Sequence, residues 1–241
     1  MPYSSLRDFI TRLETEGRLV RVVKPVSPFL EMTEIQTRLL AEGGPAVLFE
    51  NVVGADGRPY GIPVLVNLFG TVERVAWGMD REPHQLREVG EVLAFLKQPE
   101  PPGGWREALE MLPLVRTVMA MQPKMVSSAP CQEVVLTGEE IDLGRLPIQT
   151  CWPGEPAPLI TWPLVVTRPP TTKSGRRGDG HNLGIYRMQV TGRDTTLMRW
   201  LKHRGGAQHY QRWAREKAEP LPAAVVIGAD PGTILAAVTP V

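Results

Sequence analysis

A short basic segment, MRWLKHRGGAQH, carries the residue types best suited to hold an anion. Arg199, Lys202 and Arg204 precede a Gly-Gly pair, and a helical pattern begins directly after it. Backbone N–H groups at the start of that helix would point at a phosphate, and the cations would add charge-assisted hydrogen bonds. His209 lies in the first turn, where a neutral imidazole could ligate a divalent ion bridging to the same phosphate. A solvated basic helix face explains the same charges, so the pattern leaves both interpretations open.

A second polar group lies just upstream, in HNLGIYRMQV, which follows a basic, Gly-rich hairpin tip at 171–180. Asn182 offers a hard carboxamide oxygen suited to Mg²⁺ or Mn²⁺, and Arg187 is a permanent cation. Strand alternation sends residues five apart to opposite faces, so a shared site requires a bulge or bend, which we expect at Gly184. An exposed strand position explains Arg187 equally well. No P-loop, GxGxxG or nucleophile motif occurs, which favours a flavin or nucleotide phosphate over a phosphoryl-transfer site.

The composition predicts a soluble globular protein with an uneven charge distribution. Of the 241 residues, 42% are hydrophobic and 22% are charged. No apolar run approaches the roughly 18 residues that span a bilayer, and the start is no signal peptide, so we expect a cytoplasmic protein. The net charge of the chain is only +1, but the segment between positions 168 and 217 holds 12 Lys/Arg and 3 Asp/Glu. This local excess of positive charge indicates an anionic partner.

The elements that must position these residues divide the chain in two. Helices are predicted at 6–16, 29–42, 71–78, 83–97 and 105–120, with strands at 18–23, 46–52 and 64–70. The Pro- and Gly-rich segment PEPPGG (99–104) is a predicted loop. Later in the chain, strands are predicted in EVVLTG (133–138), LITWPLVVT (159–167), LGIYRMQV (183–190) and AAVVIGA (223–229). One long helix is predicted near 206–218. The predicted fold is an N-terminal α/β domain over 1–125 and a mostly β domain over 126–241. The sequence ends at Val241 in an apolar segment, a pattern that predicts a chain cut within a domain.

The sequence resembles the UbiD-type decarboxylases, which use prenylated FMN. The likeness lies in SLRDFITRLETEGRLVRV, VLVNLFGTVERVAWGM, the stretch from APCQEVVLTG to LVVTRPP, NLGIYRMQV and MRWLKHRGGAQH. The last segment is most similar to the branch that decarboxylates 4-hydroxy-3-polyprenylbenzoate in ubiquinone synthesis. The resemblance implies an N-terminal α/β domain, a flavin-binding split β-barrel and a C-terminal oligomerising domain, of which this chain holds the first and part of the second.

The resemblance also implies a site. Asn182 and His209 would ligate Mn²⁺ or Mg²⁺ at the phosphate of prenylated FMN, with K⁺ as a further candidate ion. Arg187 would be the catalytic arginine, which orients the substrate carboxylate and pairs with an acidic proton donor. The residues implied to line the flavin are Ile185, Tyr186, Arg187, Arg199, Trp200, Leu201, Arg204, Gly205 and Gln208.

The implied partners are an aromatic or α,β-unsaturated carboxylic acid, a flavin prenyltransferase that supplies the cofactor, and further copies of the full-length chain. A polyprenyl substrate would bring the enzyme to the inner membrane at most peripherally. The family's acidic metal ligand and acidic catalytic residues follow the motif beginning TPV, where this chain ends, so we expect the fragment alone to be inactive. Two alternatives remain: a flavin- or metal-binding fragment without activity, and a single-stranded nucleic-acid surface built on Trp200, Tyr210 and Trp213.

Overall fold

The computed structural model describes residues 3–98, 104–112, 116, 126–170 and 180–239. Its first helix, α1 (Leu6–Thr15), begins at the predicted capping box: the backbone N–H of Asp8 donates to Ser5 Oγ, and the backbone N–H of Ser5 donates to Asp8 Oδ2. Phe9 and Leu13 share the inward face of α1 and are fully buried. The capping signal and the apolar spacing in the sequence therefore predicted this helix correctly.

The described residues of the N-terminal part form a three-stranded sheet covered by helices, and this α/β content was predicted. Strands β1 (Leu19–Val22) and β2 (Ala46–Phe49) are parallel, with helix α2 (Glu31–Ala41) between them in the chain, and β3 (Val64–Val66) pairs with β2 in antiparallel fashion. All four residues of the central strand β2 are buried, which is typical of a strand covered on both faces. Helices α3 (Val72–Gly78), α4 (Leu86–Lys97) and α5 (Trp105–Glu110) follow, with a 3₁₀ turn (Pro83–Gln85) before α4.

The helix predicted over 105–120 is observed for its first part, and 113–115 and 117–120 lie outside the described residues. The strand predicted at 133–138 is wrong. The chain forms 3₁₀ turns at Pro130–Gln132 and Gly138–Glu140 instead, and Val134 and Val135 are 78% and 66% exposed. A valine-rich run forms a strand only where a partner strand packs against it, and the described residues supply none here.

In its described residues, the second part contains six short strands in two antiparallel sheets. One sheet has the order β4 (Leu159–Ile160), β7 (Met188–Val190), β8 (Thr196–Met198); the other has the order β6 (Asn182–Ile185), β5 (Leu164–Thr167), β9 (Ala223–Val226). Helix α6 (Gly205–Glu216) is the long helix predicted from the sequence, and the apolar run that follows β9 forms helix α7 (Pro231–Ala236). None of the helices in the described ranges is long and apolar enough to cross a membrane.

One hydrophobic core joins the two parts of the chain. Phe9 of α1, Leu68 after β3, Leu164 of β5 and Ile234 of α7 belong to the same buried cluster. Full burial of each such side chain contributes roughly 1.5–3 kcal/mol. The sheet that contains β5 and β6 therefore rests on the N-terminal helices, and this support fixes the strands that hold the polar residues described next.

Candidate functional site

The chain crosses from one sheet to the other between β6 and β7. Asn182 opens β6, Tyr186 and Arg187 form the crossing, and Met188 begins β7. The predicted bend at Gly184 is therefore wrong in position, since Gly184 lies within β6 and pairs with Val165. The break comes two residues later, and it frees Asn182 and Arg187 from the alternation of a single strand. Asn182 is half-buried, whereas Arg187 is exposed.

The carboxamide of Asn182 packs directly against the first turn of α6. A Cβ atom on Gly205 would lie 2.0 Å from Asn182 Oδ1, so only a residue without a side chain fits at this position. Tyr186 ties the same elements together: its hydroxyl accepts from the Gly206 backbone N–H at 3.2 Å and from Asn182 Nδ2 at 3.4 Å. The Gly-Gly pair thus allows close approach of strand and helix, and one of the N–H groups predicted to face a phosphate is taken by Tyr186.

His209 lies one turn further along α6 and faces the neighbouring strand. Its Nδ1 lies 2.9 Å from the Thr167 hydroxyl, a hydrogen bond whose direction depends on the tautomer, and Thr167 is the residue of β5 paired with Asn182 of β6. Burial, followed by the positive charge of Arg212, lowers the pKa of His209 below its ordinary value. The shift favours the neutral ring, in which Nδ1 contacts Thr167 and Nε2 is the nitrogen that could bind a ligand. Sequence patterns could not reveal Thr167, because its role arises from a strand pairing.

An aromatic cluster adjoins the cradle formed by Asn182, Gly205 and Tyr186. Trp200 packs edge-on against both Tyr186 and Tyr210, with ring centroids 5.9 and 6.0 Å apart. Trp200 Nε1 is buried, and no acceptor in the described part of the chain reaches it. An open pocket beside this cluster is lined by Trp200, Tyr210, Lys202 and neighbouring residues. A buried N–H without an acceptor is costly, so a polar ligand atom at this position would be favoured.

The basic residues form the exposed rim. Arg187, Arg199 and Arg204 are solvent-exposed, and none forms an ion pair with a carboxylate of the described ranges. Leu201 is also exposed, and Gln208 Nε2 donates to the His203 carbonyl at 3.2 Å. These positions fit a solvent-facing anionic group.

Ile185, which the resemblance places at the flavin, packs against the main hydrophobic core that joins the two parts of the chain. The basic loop at 171–179, which leads into β6 and was predicted as a hairpin tip, lies outside the described residues.

The residues present fit a phosphate-bearing aromatic ligand and offer part of a metal site. The glycine cradle, the unpartnered Trp200 N–H and the unpaired arginines suit an anionic ring system. Asn182 Oδ1 and His209 Nε2 are one oxygen and one nitrogen donor, which suit a hard or borderline divalent ion. Within the described ranges, no group of three His, Cys, Asp or Glu side chains could complete a coordination shell.

Two family models match the chain over most of its length. The model for the N-terminal domain of 3-octaprenyl-4-hydroxybenzoate carboxy-lyase matches residues 10–93, and the model for the Rift-related domain of that enzyme matches residues 124–241. The second match contains Asn182, Tyr186, Gly205 and His209. The first contains the three-stranded sheet, α3 and the second half of α1, which share a core with β5.

Solved structures give the same result. Vanillic acid decarboxylase of Sedimentibacter hydroxybenzoicus, in closed form, is 26% identical with a TM-score of 0.76, and the match covers 99% of this chain and 46% of that chain. An evolved dimeric form of the UbiD-class enzyme HmfF of Pelotomaculum thermopropionicum, in complex with prenylated FMN, is 28% identical with a TM-score of 0.70 and coverages of 95% and 45%.

The apo 3,4-dihydroxybenzoic acid decarboxylase of Klebsiella pneumoniae is 26% identical with a TM-score of 0.70 and coverages of 95% and 43%. The present chain spans less than half the length of each of these three structures. Both family models and the structural matches give one assignment: the chain belongs to the UbiD family.

Proposed function

We propose that this chain is the flavin-binding part of a carboxy-lyase that removes CO₂ from an aromatic acid of the 4-hydroxybenzoate type with the help of prenylated FMN. The observation that carries the proposal is the cradle formed by Asn182, Gly205 and Tyr186, in which a strand and the first turn of a helix meet without room for a side chain. A 3-polyprenylated substrate of ubiquinone synthesis is the specific form we favour, and the split β-barrel is the architecture we expect for the complete domain.

Prenylated FMN, when bound, supplies an electron sink for the electron pair released as the carboxylate leaves. Asn182 and His209 would hold Mn²⁺ or Mg²⁺ at the flavin phosphate, with the remaining ligand an acidic side chain from elsewhere in the full enzyme. Arg199, Arg204 and the Trp200 N–H would hold the anionic and polar atoms of the cofactor. Ile185, Tyr186, Leu201, Gly205 and Gln208 complete the proposed lining.

Arg187 is the proposed substrate-binding cation. A guanidinium stays protonated at every working pH and presents two parallel N–H donors, a geometry that matches a carboxylate. It lies at the crossing between two sheets and has no carboxylate within ion-pair distance in the described ranges, so its donors are available to a substrate. By orienting the carboxylate, Arg187 would lower the entropic part of the barrier, and an acidic partner would return the proton.

The full-length enzyme is proposed to assemble with further copies of itself and to receive its cofactor from a flavin prenyltransferase in the cytoplasm. The test is CO₂ release from 4-hydroxybenzoate and from a 3-prenylated analogue by the full-length protein made together with a flavin prenyltransferase. We expect turnover that Arg187→Lys reduces at least about tenfold, because a point charge cannot replace the bidentate fork. Bound cofactor without CO₂ release from any aromatic acid would establish the non-catalytic alternative and overturn the proposed activity.

A further inference from the structure

A cleft of about 330 Å³ lies at one edge of the first sheet, and no residue of the candidate site lines it. Because β1 and β2 are parallel and β3 runs the other way, the starts of the first two strands and the end of the third meet at this edge. Arg18 precedes β1, Pro45 precedes β2, and Thr71 to Arg74 follow β3. Asn67 Nδ2 donates to the Gly44 and Pro45 carbonyls at 3.0 and 2.9 Å, which fixes two of these loops together.

Arg74 brings a buried positive charge to the wall of this cleft. Its side chain is 1% exposed, and it donates from Nε to the Leu68 carbonyl and from Nη2 to the Asn67 carbonyl, both at 3.1 Å. A guanidinium has five N–H donors, and no carboxylate of the described ranges lies within ion-pair distance of this one. Burial lowers the pKa of Arg74; the negative charge of Glu73 opposes this shift, and the positive charge of Arg18 adds to it.

The other charges at the cleft cancel each other. Glu73 accepts from Arg18 through two contacts, Nε to Oε2 at 2.9 Å and Nη2 to Oε1 at 3.4 Å, so this pair contributes no net charge. Thr71 Oγ1 accepts from the Arg74 backbone N–H, and its own hydroxyl hydrogen remains for an acceptor. The lining therefore combines a hydroxyl donor with one buried cation that has no carboxylate within ion-pair distance in the described ranges. The cleft volume is at the lower end of the range for ligand pockets.

We propose that this cleft binds a small oxyanion, either a short carboxylate or an inorganic oxyanion such as phosphate, with Arg74 as its counter-charge. Arg74 and Thr71 donate to the anion, and Arg18 and Glu73 set the field around it. The site belongs to the N-terminal part of the chain and is independent of the flavin proposed for Asn182 and α6.

The test is titration of the 241-residue chain with sodium phosphate, sodium acetate and sodium chloride at constant ionic strength, followed by calorimetry and by melting temperature. We expect saturable binding of phosphate, acetate or both, and none of chloride; the stronger of the two identifies the kind of oxyanion. Glu73→Gln removes the carboxylate that neutralises Arg18 and should tighten binding about fivefold. Arg18→Gln leaves Glu73 unpaired and should weaken binding by a similar factor.

Both substitutions are at partly exposed positions, so they leave the buried Arg74 and its hydrogen bonds in place and the chain should stay folded. Glu34→Gln is the matched control, because Glu34 pairs with Arg38 on the outer face of α2 and the substitution removes the same charge away from the cleft. Phosphate bound at Asn182 and α6 would respond to neither Glu73 nor Arg18, which separates the two sites. Equal effects of Glu73→Gln and Glu34→Gln, or no saturable binding of phosphate or acetate, would overturn the proposal.

Discussion

Replacement of Gly205 by alanine tests the cradle at its tightest point. The new Cβ would lie 2.0 Å from Asn182 Oδ1, whereas real Cβ atoms keep at least 3.0 Å, so the carboxamide or the helix must move by 1.0 Å or more. Overpacking of this kind costs about 1–3 kcal/mol, against a helix-propensity gain of at most about 1 kcal/mol for alanine over glycine. If Asn182 rotates away instead, stability is kept, but the proposed metal ligand is displaced.

The assay is FMN titration of the full-length protein by fluorescence quenching, together with urea unfolding of the 241-residue chain. We expect Gly205→Ala to weaken FMN binding at least about tenfold, because a displacement of about 1 Å disrupts a positioned site. Gly90→Ala is the matched control: Gly90 lies inside α4, and a Cβ atom there would meet nothing within 4 Å, so alanine should raise the free energy of unfolding by about 1 kcal/mol and leave FMN binding unchanged. The cradle is refuted if Gly205→Ala matches Gly90→Ala in both assays.

Three further predictions concern side chains away from the glycines. Thr167→Val keeps the shape of β5 but removes the partner of His209 Nδ1, so the free energy of unfolding should fall by about 1–3 kcal/mol in urea; an unchanged value would show that the hydrogen bond is dispensable. Trp200→Phe deletes a buried N–H without an acceptor in the described ranges and should change the unfolding free energy by less than about 1.5 kcal/mol while weakening FMN binding; undiminished FMN affinity would exclude that N–H as a ligand contact. The hydrogen bonds from Ser4 lower the pKa of Asp8 below 3.8, so this carboxylate stabilises the fold above that pH and the contribution is lost as pH falls through the lowered value. The free energy of unfolding should therefore fall less steeply at acidic pH in Asp8→Asn than in the wild type. The same acidic pH dependence in both proteins would contradict the capping role.

Local signals predicted the helices well, whereas the contacts within the candidate site depend on tertiary structure. The capping box at Ser5 and the Gly-Gly start of α6 are encoded within a few residues of the elements they begin, so a single sequence contains them. The binding roles of α6 and of the Asn182 carboxamide were inferred from residue type and spacing, and they stay predictions. His209 contacts Thr167, which lies 42 positions away in the chain. This contact depends on the pairing of β5 with β6, and no local sequence pattern predicts that pairing.

The wrong expectations share a physical cause. The run EVVLTG has strand propensity but no partner strand in the described ranges. The bend predicted at Gly184 assumed that a glycine marks the place where the strand is interrupted. The chain turns at Tyr186 and Arg187 because one segment supplies strands to two sheets. Gly184 serves close packing instead, since a Cβ atom at that position would lie 2.9 Å from the Tyr186 ring. Sheet membership is a tertiary property, so turn propensity alone misplaces such a crossing.

The measurement that tests the central claim most directly is native mass spectrometry of the full-length protein produced together with a flavin prenyltransferase. The account predicts one prenylated FMN per subunit, retained in Gly90→Ala and lost or strongly reduced in Gly205→Ala and Asn182→Ala. A folded wild-type protein without bound flavin, or one whose occupancy is unchanged by both site substitutions, would contradict it.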